Sequence, residues 1–189
     1  GLYFTALTEG LAQIPPIPAA IRAQADDLMA HKGRAALLAD LDSATRDRID
    51  TRNPMRVQRA WEVQRATGRG LADWQDDTPP PLLPLDHCTA ILVEADKDWL
   101  TPRIEQRFDA MLRAGALDEA RANLGGWQPD LPSSRAIGAP ELISYLSDGM
   151  TLDAARDAAT SATRQFAKRQ RTWFRARMSS WHRIAAQDL

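Results

Sequence analysis

The chain has 189 residues, 44% of them apolar, with a formal net charge of −1 and a single cysteine. That supplies a core for one domain, or for one domain carrying an inserted subdomain. An internal disulfide is excluded, which fits a reducing cytoplasm, and no apolar run reaches membrane-spanning length. Cys88 reads as a small buried hydrophobe and not as a nucleophile. The near-zero charge hides an asymmetry. Residues 158–187 contain seven cations and no carboxylate, so the remainder carries −8. A local positive field of this kind can hold a polyanion while the rest of the surface repels it.

Leu2, Phe4, Leu7 and Leu11 recur at helical spacing, so GLYFTALTEGL reads as a short helix with an apolar stripe. Gly10 and Pro15, Pro16 and Pro18 end it. A helix of small and polar residues over 19–31 is broken at Gly33 and followed by another over 34–41. Asp42 and Ser43 are candidate caps for a turn to Ile49. Asn53-Pro54 marks a strong helix start, and PMRVQRAWEVQRAT runs from it to a C-terminal Gly68. On that helix Val57 and Trp61 share one face, while Arg56 and Arg59, with Arg52 nearby, share another. Residues 68–84, with a triple proline at 79–81, read as loop. TAILVE, 89–94, reads as a strand of a buried sheet.

A helix over 98–115 follows, with Pro102 in its first turn and a core stripe of Ile104, Phe108, Met111 and Leu112. Short helices are expected over 117–124 and 140–146, separated by the loop GGWQPDLPSSRAIGA. Thr151 caps the longest helix, 152–178, and residues 180–185 form a last short strand. The fragment is therefore expected to be mostly α-helical with one or two short strands.

Two features carry chemistry. On the last helix Arg164, Lys168, Arg171 and Arg175 fall at i, i+4, i+7 and i+11, one continuous face, with Phe166 and Trp173 on a neighbouring stripe able to pack inward. Cations that meet phosphates release counterions and supply most of the affinity for a nucleic acid. The plainer alternative is a solvated helix end whose dipole favours cations. The second feature is LPSSRAIG. Backbone N–H groups at the helix start after Gly138, together with the Arg135 guanidinium, have the setting of an anion site, though on this signal alone an ordinary surface arginine is the better reading. His31, His87 and His182 lack metal-ligand spacing, and no GxxxxGK[ST] loop or nucleophile elbow occurs.

In order, GLYFTALTEGL, NPMRVQRAWEVQRATG, RIEQRFDAMLRAGALDEA, LPSSRAIG and ATRQFAKRQRTWFR resemble the tRNA dimethylallyltransferases (tRNA isopentenyltransferases). The resemblance spans about residues 1–178. It implies an α/β, P-loop-kinase-like core with a helical insertion in the intact enzyme, with residues 1–15 and 85–189 in the core and 16–84 in the insertion. It implies transfer of a dimethylallyl group from dimethylallyl diphosphate to N6 of the adenosine 3′ to the anticodon, with Mg²⁺ as cofactor. The expected partners are the anticodon stem-loop of tRNA and dimethylallyl diphosphate, and the expected state is a monomer. GLYF is similar to the end of the family motif GGTGLYF. The P-loop and a catalytic Asp and Thr are thus expected in residues preceding Gly1, the chain itself being a fragment without activity.

The resemblance also implies residue roles. Arg135 would stabilise the departing diphosphate. Arg56, Gln58, Arg59, Arg135, Gly138, Lys168, Arg169, Gln170, Arg171 and Arg175 would contact tRNA. No residue of this chain is expected to bind metal. Three positions depart from the family pattern. Ala139 and Pro140 replace a Tyr-Arg pair, Met55 replaces a Gln, and Thr51-Arg52-Asn53-Pro54 stands for HPND. The contact implied at the Gln is therefore not carried to Met55. Two further readings stand beside the enzyme: a non-catalytic helical RNA-binding module, and a DNA-binding or interaction domain.

Overall fold

A computed structural model describes residues 1–189. The chain divides into two compact units, Leu2–Thr89 and Ala90–Leu189, with Gly1 counted in the second.

The first unit holds α1 (Leu2–Glu9), α2 (Ala19–Asp40), α3 (Ser43–Arg48), α4 (Pro54–Thr67) and α5 (Leu71–Asp76). Its core lies between α2 and α4, where Ala25, Leu37, Leu41, Val57, Ala60 and Trp61 are buried together. The expected break in α2 is present at Gly33, whose φ of 71° lies in the left-handed region that glycine adopts without strain. The α4 boundaries follow from the residues that signalled them. Asn53 Oδ1 accepts from the N–H groups of Met55 (3.1 Å) and Arg56 (3.3 Å). Gly68, at φ 69°, donates its N–H to the Gln64 carbonyl at the other end. Asp40 clamps α4 to α2: its Oδ2 accepts from Trp61 Nε1 at 3.0 Å and its carbonyl from Gln64 Nε2 at 2.7 Å.

Two expectations fail in this unit. Residues 68–84 are not all loop, because α5 forms within them. Its partners come from α3: the Thr45 hydroxyl accepts the Ala72 N–H at 3.1 Å, and Arg48 grips Asp76 with two hydrogen bonds. Such long-range contacts leave no local pattern. Helix α1 forms as expected, with Leu2 exposed and no residue of the helix fully covered. Cys88 is exposed rather than buried, because it follows a short 3₁₀ turn, Leu85–His87, in the connector ahead of the next unit.

The second unit runs β1 (Ile91–Glu94), α6 (Lys97–Arg113), α7 (Ala116–Leu124), α8 (Ala139–Leu146), α9 (Leu152–Arg177) and β2 (His182–Ala185). The two strands pair in parallel, with Ile91 opposite His182 and Glu94 opposite Ala185. The expected buried sheet is not found. With only two strands, Leu92 is covered while Ile91 and Val93, on the opposite face of the pleat, are exposed. Phe108, Ala120, Leu142, Ile143 and Ala159 form the helical core, so α6, α7, α8 and α9 share one apolar interior. Asp96 caps α6 by accepting the Asp98 N–H at 2.9 Å. Pro102 therefore sits in the second turn of α6, not the first. Met111 falls outside the buried stripe that Ile104 and Phe108 define. Arg156 on α9 donates to both carboxylate oxygens of Asp109 on α6, at 2.5 and 2.9 Å. The paired guanidinium holds the Asp109 carboxyl below its ordinary range. This bond ties α6 to α9, the two helices that frame the basic surface.

Candidate nucleic-acid interface

Helix α9 starts with small residues that can approach α6 and α8 closely: Ala155, Ala159 and Thr160 are buried. Beyond them the composition changes to Arg, Lys and Gln, and the last turns expose one side while Arg171, Trp173 and Phe174 stay half-buried. Lys168, Arg169 and Arg175 are exposed and Arg171 is half-buried. None of these, nor Arg177, forms an ion pair within the chain; Arg164 alone among the α9 ridge cations is neutralised, by Glu105 of α6 at 3.1 Å. The helix dipole explains Arg175 and Arg177, which lie in the last turn. It does not explain Lys168, Arg169 and Arg171, because that effect fades within one turn. Five uncompensated cations on one helix repel each other unless an anion neutralises them.

Phe166 corrects the sequence reading. It is 45% exposed rather than packed inward, with the Arg169 guanidinium 5.8 Å from its ring centre. Trp173 is half-buried and meets Phe174 edge-on at 5.2 Å. Gln170 is exposed and lines a small cleft against β1 with Arg171 and Phe174.

The side of α9 that faces α6 holds a groove of about 390 Å³. Its floor is apolar, from Leu100, Ile104 and Ala167. Lys97, Arg164, Lys168 and Arg171 line it together with Thr101, Ser161 and Gln165. Sequence reasoning grouped the cations of α9 by themselves and so missed Lys97. It stands some seventy residues earlier, and only the packing of α6 on α9 brings it there.

Arg135 ends a 3₁₀ turn, Ser133–Arg135, and is exposed, with no side-chain hydrogen bond or ion pair. The backbone beside it is less available than the sequence implied. Gly138 N–H donates to Glu141 Oε2 at 2.9 Å and Ala139 N–H donates to the Ala136 carbonyl at 3.0 Å. Residue 140 is proline and has no N–H. A carboxylate from within the chain thus already occupies the start of α8, which leaves the guanidinium as the free group. Behind this turn lies a cavity of about 330 Å³ lined largely by apolar residues, among them Phe108, Trp127 and Leu142, with Ser134 and Gly138 also on its wall. Arg135 does not line it. Gly138 is held at φ 100° with Phe108 just 3.1 Å from where a Cβ would stand, so its role in this fold is to let α8 close on α6.

In the first unit, Arg56 is exposed and unpaired. Arg59 lies 3.9 Å from Glu62 and Arg52 lies 3.7 Å from Asp50. The Gln58 amide donates to Asp26 at 2.7 Å and to Glu62 at 3.1 Å. Of the α4 residues expected to meet RNA, Arg56 is therefore the free cation, and Gln58 is engaged in holding α4 to α2. No three acidic, histidine or cysteine side chains stand together as a metal seat. No helix is long and apolar enough to cross a membrane.

A helix with five uncompensated cations lies beside a groove walled by cations from two helices, α6 and α9. Comparison with known proteins shows the family. Residues 1–177 match the family model described as IPP transferase, and the chain belongs to that family. It is 60% identical over 184 residues to a tRNA dimethylallyltransferase of Cereibacter sphaeroides, covering 97% of this chain and 59% of that protein. It is 62% identical over 181 residues to the enzyme of that name from Roseobacter denitrificans, covering 96% and 63%. Among solved structures, it is similar to the full-length tRNA isopentenylpyrophosphate transferase of Bacillus halodurans (TM-score 0.56, 28% identity, 98% of this chain and 57% of that one). It is also similar to the tRNA delta(2)-isopentenylpyrophosphate transferase of Staphylococcus epidermidis (TM-score 0.51, 26% identity, 90% and 56%). The chain thus spans about three-fifths of the length of the relatives it matches.

Proposed function

We propose that this chain is the RNA-gripping and diphosphate-receiving part of a tRNA dimethylallyltransferase. The observation that carries the reading is the row of uncompensated cations on α9 in a member of the IPP transferase family. In the proposed reaction the N6 amine of a tRNA adenosine attacks C1 of dimethylallyl diphosphate. The C1–O bond breaks, diphosphate leaves with the bonding pair, and N6 loses a proton to a general base.

The chain's own contributions in this proposal are two. Lys168, Arg169, Gln170, Arg171 and Arg175 hold the phosphate backbone of the anticodon stem-loop, with Arg56 and Arg59 as a second basic segment on residues 16–84, the proposed insertion. Arg135 meets the charge that accumulates on the leaving oxygen. A guanidinium suits that task because it presents a planar fork of donors and stays charged. Its freedom from any internal carboxylate supports the assignment. Mg²⁺, implied by the resemblance, finds no fitting donor set in this chain. The reading places the protein in the cytoplasm, where tRNA is found.

The test is Arg135→Ala in the protein that carries this chain, read as steady-state prenyl transfer. The expected result is a large fall in kcat, with tRNA affinity nearly kept. Arg135→Lys should recover part of it, because a point charge replaces the bidentate fork. Unchanged turnover together with unchanged affinity for dimethylallyl diphosphate would remove Arg135 from the site.

A further inference from the structure

The groove between α6 and α9 draws its lining from both helices. Lys97 enters from the first turn of α6; Arg164, Lys168 and Arg171 enter from three successive turns of α9. Only Arg164 has a carboxylate partner, Glu105, so the groove keeps an uncompensated positive charge. Ser161 and Gln165 line the same space and have no hydrogen-bond partner in the chain. Ser161 is half-buried and Gln165 exposed, so both donors are available to an acceptor that enters the groove. The acceptor must be anionic, because three unpaired cations surround it. Leu100, Ile104 and Ala167 supply the apolar part of the groove's lining.

We propose that this groove is a phosphate seat. Lys97, Arg164, Lys168 and Arg171 surround one phosphate group, and Ser161 Oγ and the Gln165 amide donate hydrogen bonds to its oxygens. Resting on the RNA-binding reading, the phosphate is a phosphodiester of the bound RNA. The seat extends the RNA footprint from the single helix α9 onto α6 and fixes the register of the backbone on the ridge. Phosphodiester recognition by mixed Lys, Arg and hydroxyl donors is the usual positioning contact of a nucleic-acid interface.

The test uses the 189-residue chain, a labelled anticodon stem-loop RNA and the variants Lys97→Ala and Ser161→Ala. One lost phosphate contact removes roughly 0.9 from the slope of log K against log salt, hence about eightfold in affinity at 0.1 M salt. Lys97→Ala should show both changes. Ser161→Ala should weaken binding with the slope kept, since a hydroxyl releases no counterion. If RNA binds and both variants match the parent, the seat is overturned while RNA binding by α9 stands. If the parent binds no RNA, the RNA-binding reading fails on its own terms, and titration with inorganic pyrophosphate then decides the seat. Shifts of the Thr101 and Ser161 amide resonances that vanish in Lys97→Ala would keep it as a site for a free phosphate-bearing ligand. Absence of shifts would remove it altogether.

Discussion

Neutralising the free cations of α9 is the perturbation with the clearest arithmetic. Lys168, Arg169, Arg171, Arg175 and Arg177 have no internal carboxylate partner. If all five meet phosphates, log K should fall against log salt with a slope of about −3.5 on single-stranded segments and about −4.5 on duplex. Between 0.05 and 0.2 M salt that is a loss of roughly 100- to 500-fold in affinity. Lys168→Ala and Arg175→Ala should each flatten the slope by about 0.7–0.9, and the double variant by about twice that. A paired control separates charge at the interface from net charge. Replacing Arg121 by Gln and Asp118 by Asn together removes an exposed ion pair of α7 without changing the total, so the slope should be kept. The assay is fluorescence anisotropy with an anticodon stem-loop across a salt series. A parent slope shallower than about −1, or a double variant with the parent's slope, would refute phosphate contact by this face.

Two further predictions concern the fold that carries the face. Leu37, fully buried between α2 and α4, should cost about 2–5 kcal/mol of stability when changed to Ala, read by urea denaturation. A change under about 0.5 kcal/mol would mean that the α2–α4 core is not packed as described. The Asp109–Arg156 bond carries a pH signature. The Asp109 carboxyl is held low in the folded state by Arg156, so its contribution is complete above the ordinary carboxylate pKa of about 4 and is lost as pH falls through the lower folded value. Asp109→Asn should therefore lower the Tm at pH 7, with the deficit shrinking below about pH 4. A deficit that stays constant with pH would assign the effect to packing instead.

Local signals carried much of the helical layout. Asn53-Pro54 and Gly68 bounded α4, Gly33 broke α2, and Thr151 opened α9, because capping and positive-φ glycine are decided within a few residues. What escaped was set at a distance. Helix α5 depends on a hydroxyl and a guanidinium from α3. The exposure of Ile91 and Val93 depends on how many strands flank β1, which a run of branched residues cannot state. The candidate site divides in the same way. The cation spacing on α9 was legible from the helical period alone. That Arg164 is neutralised, that Gln58 serves the α2–α4 contact, and that Glu141 fills the start of α8 all required the fold.

Nucleoside mass spectrometry of tRNA tests the central claim most directly. Unmodified tRNA would be incubated with dimethylallyl diphosphate, Mg²⁺ and the protein that carries this chain, then digested to nucleosides. The expected result is adenosine bearing a dimethylallyl group on N6, formed by the parent protein and greatly reduced in Arg135→Ala and in the Lys168→Ala, Arg175→Ala double variant. An active preparation that binds tRNA yet leaves every adenosine unprenylated would contradict the enzyme reading and leave a helical RNA-binding module in its place.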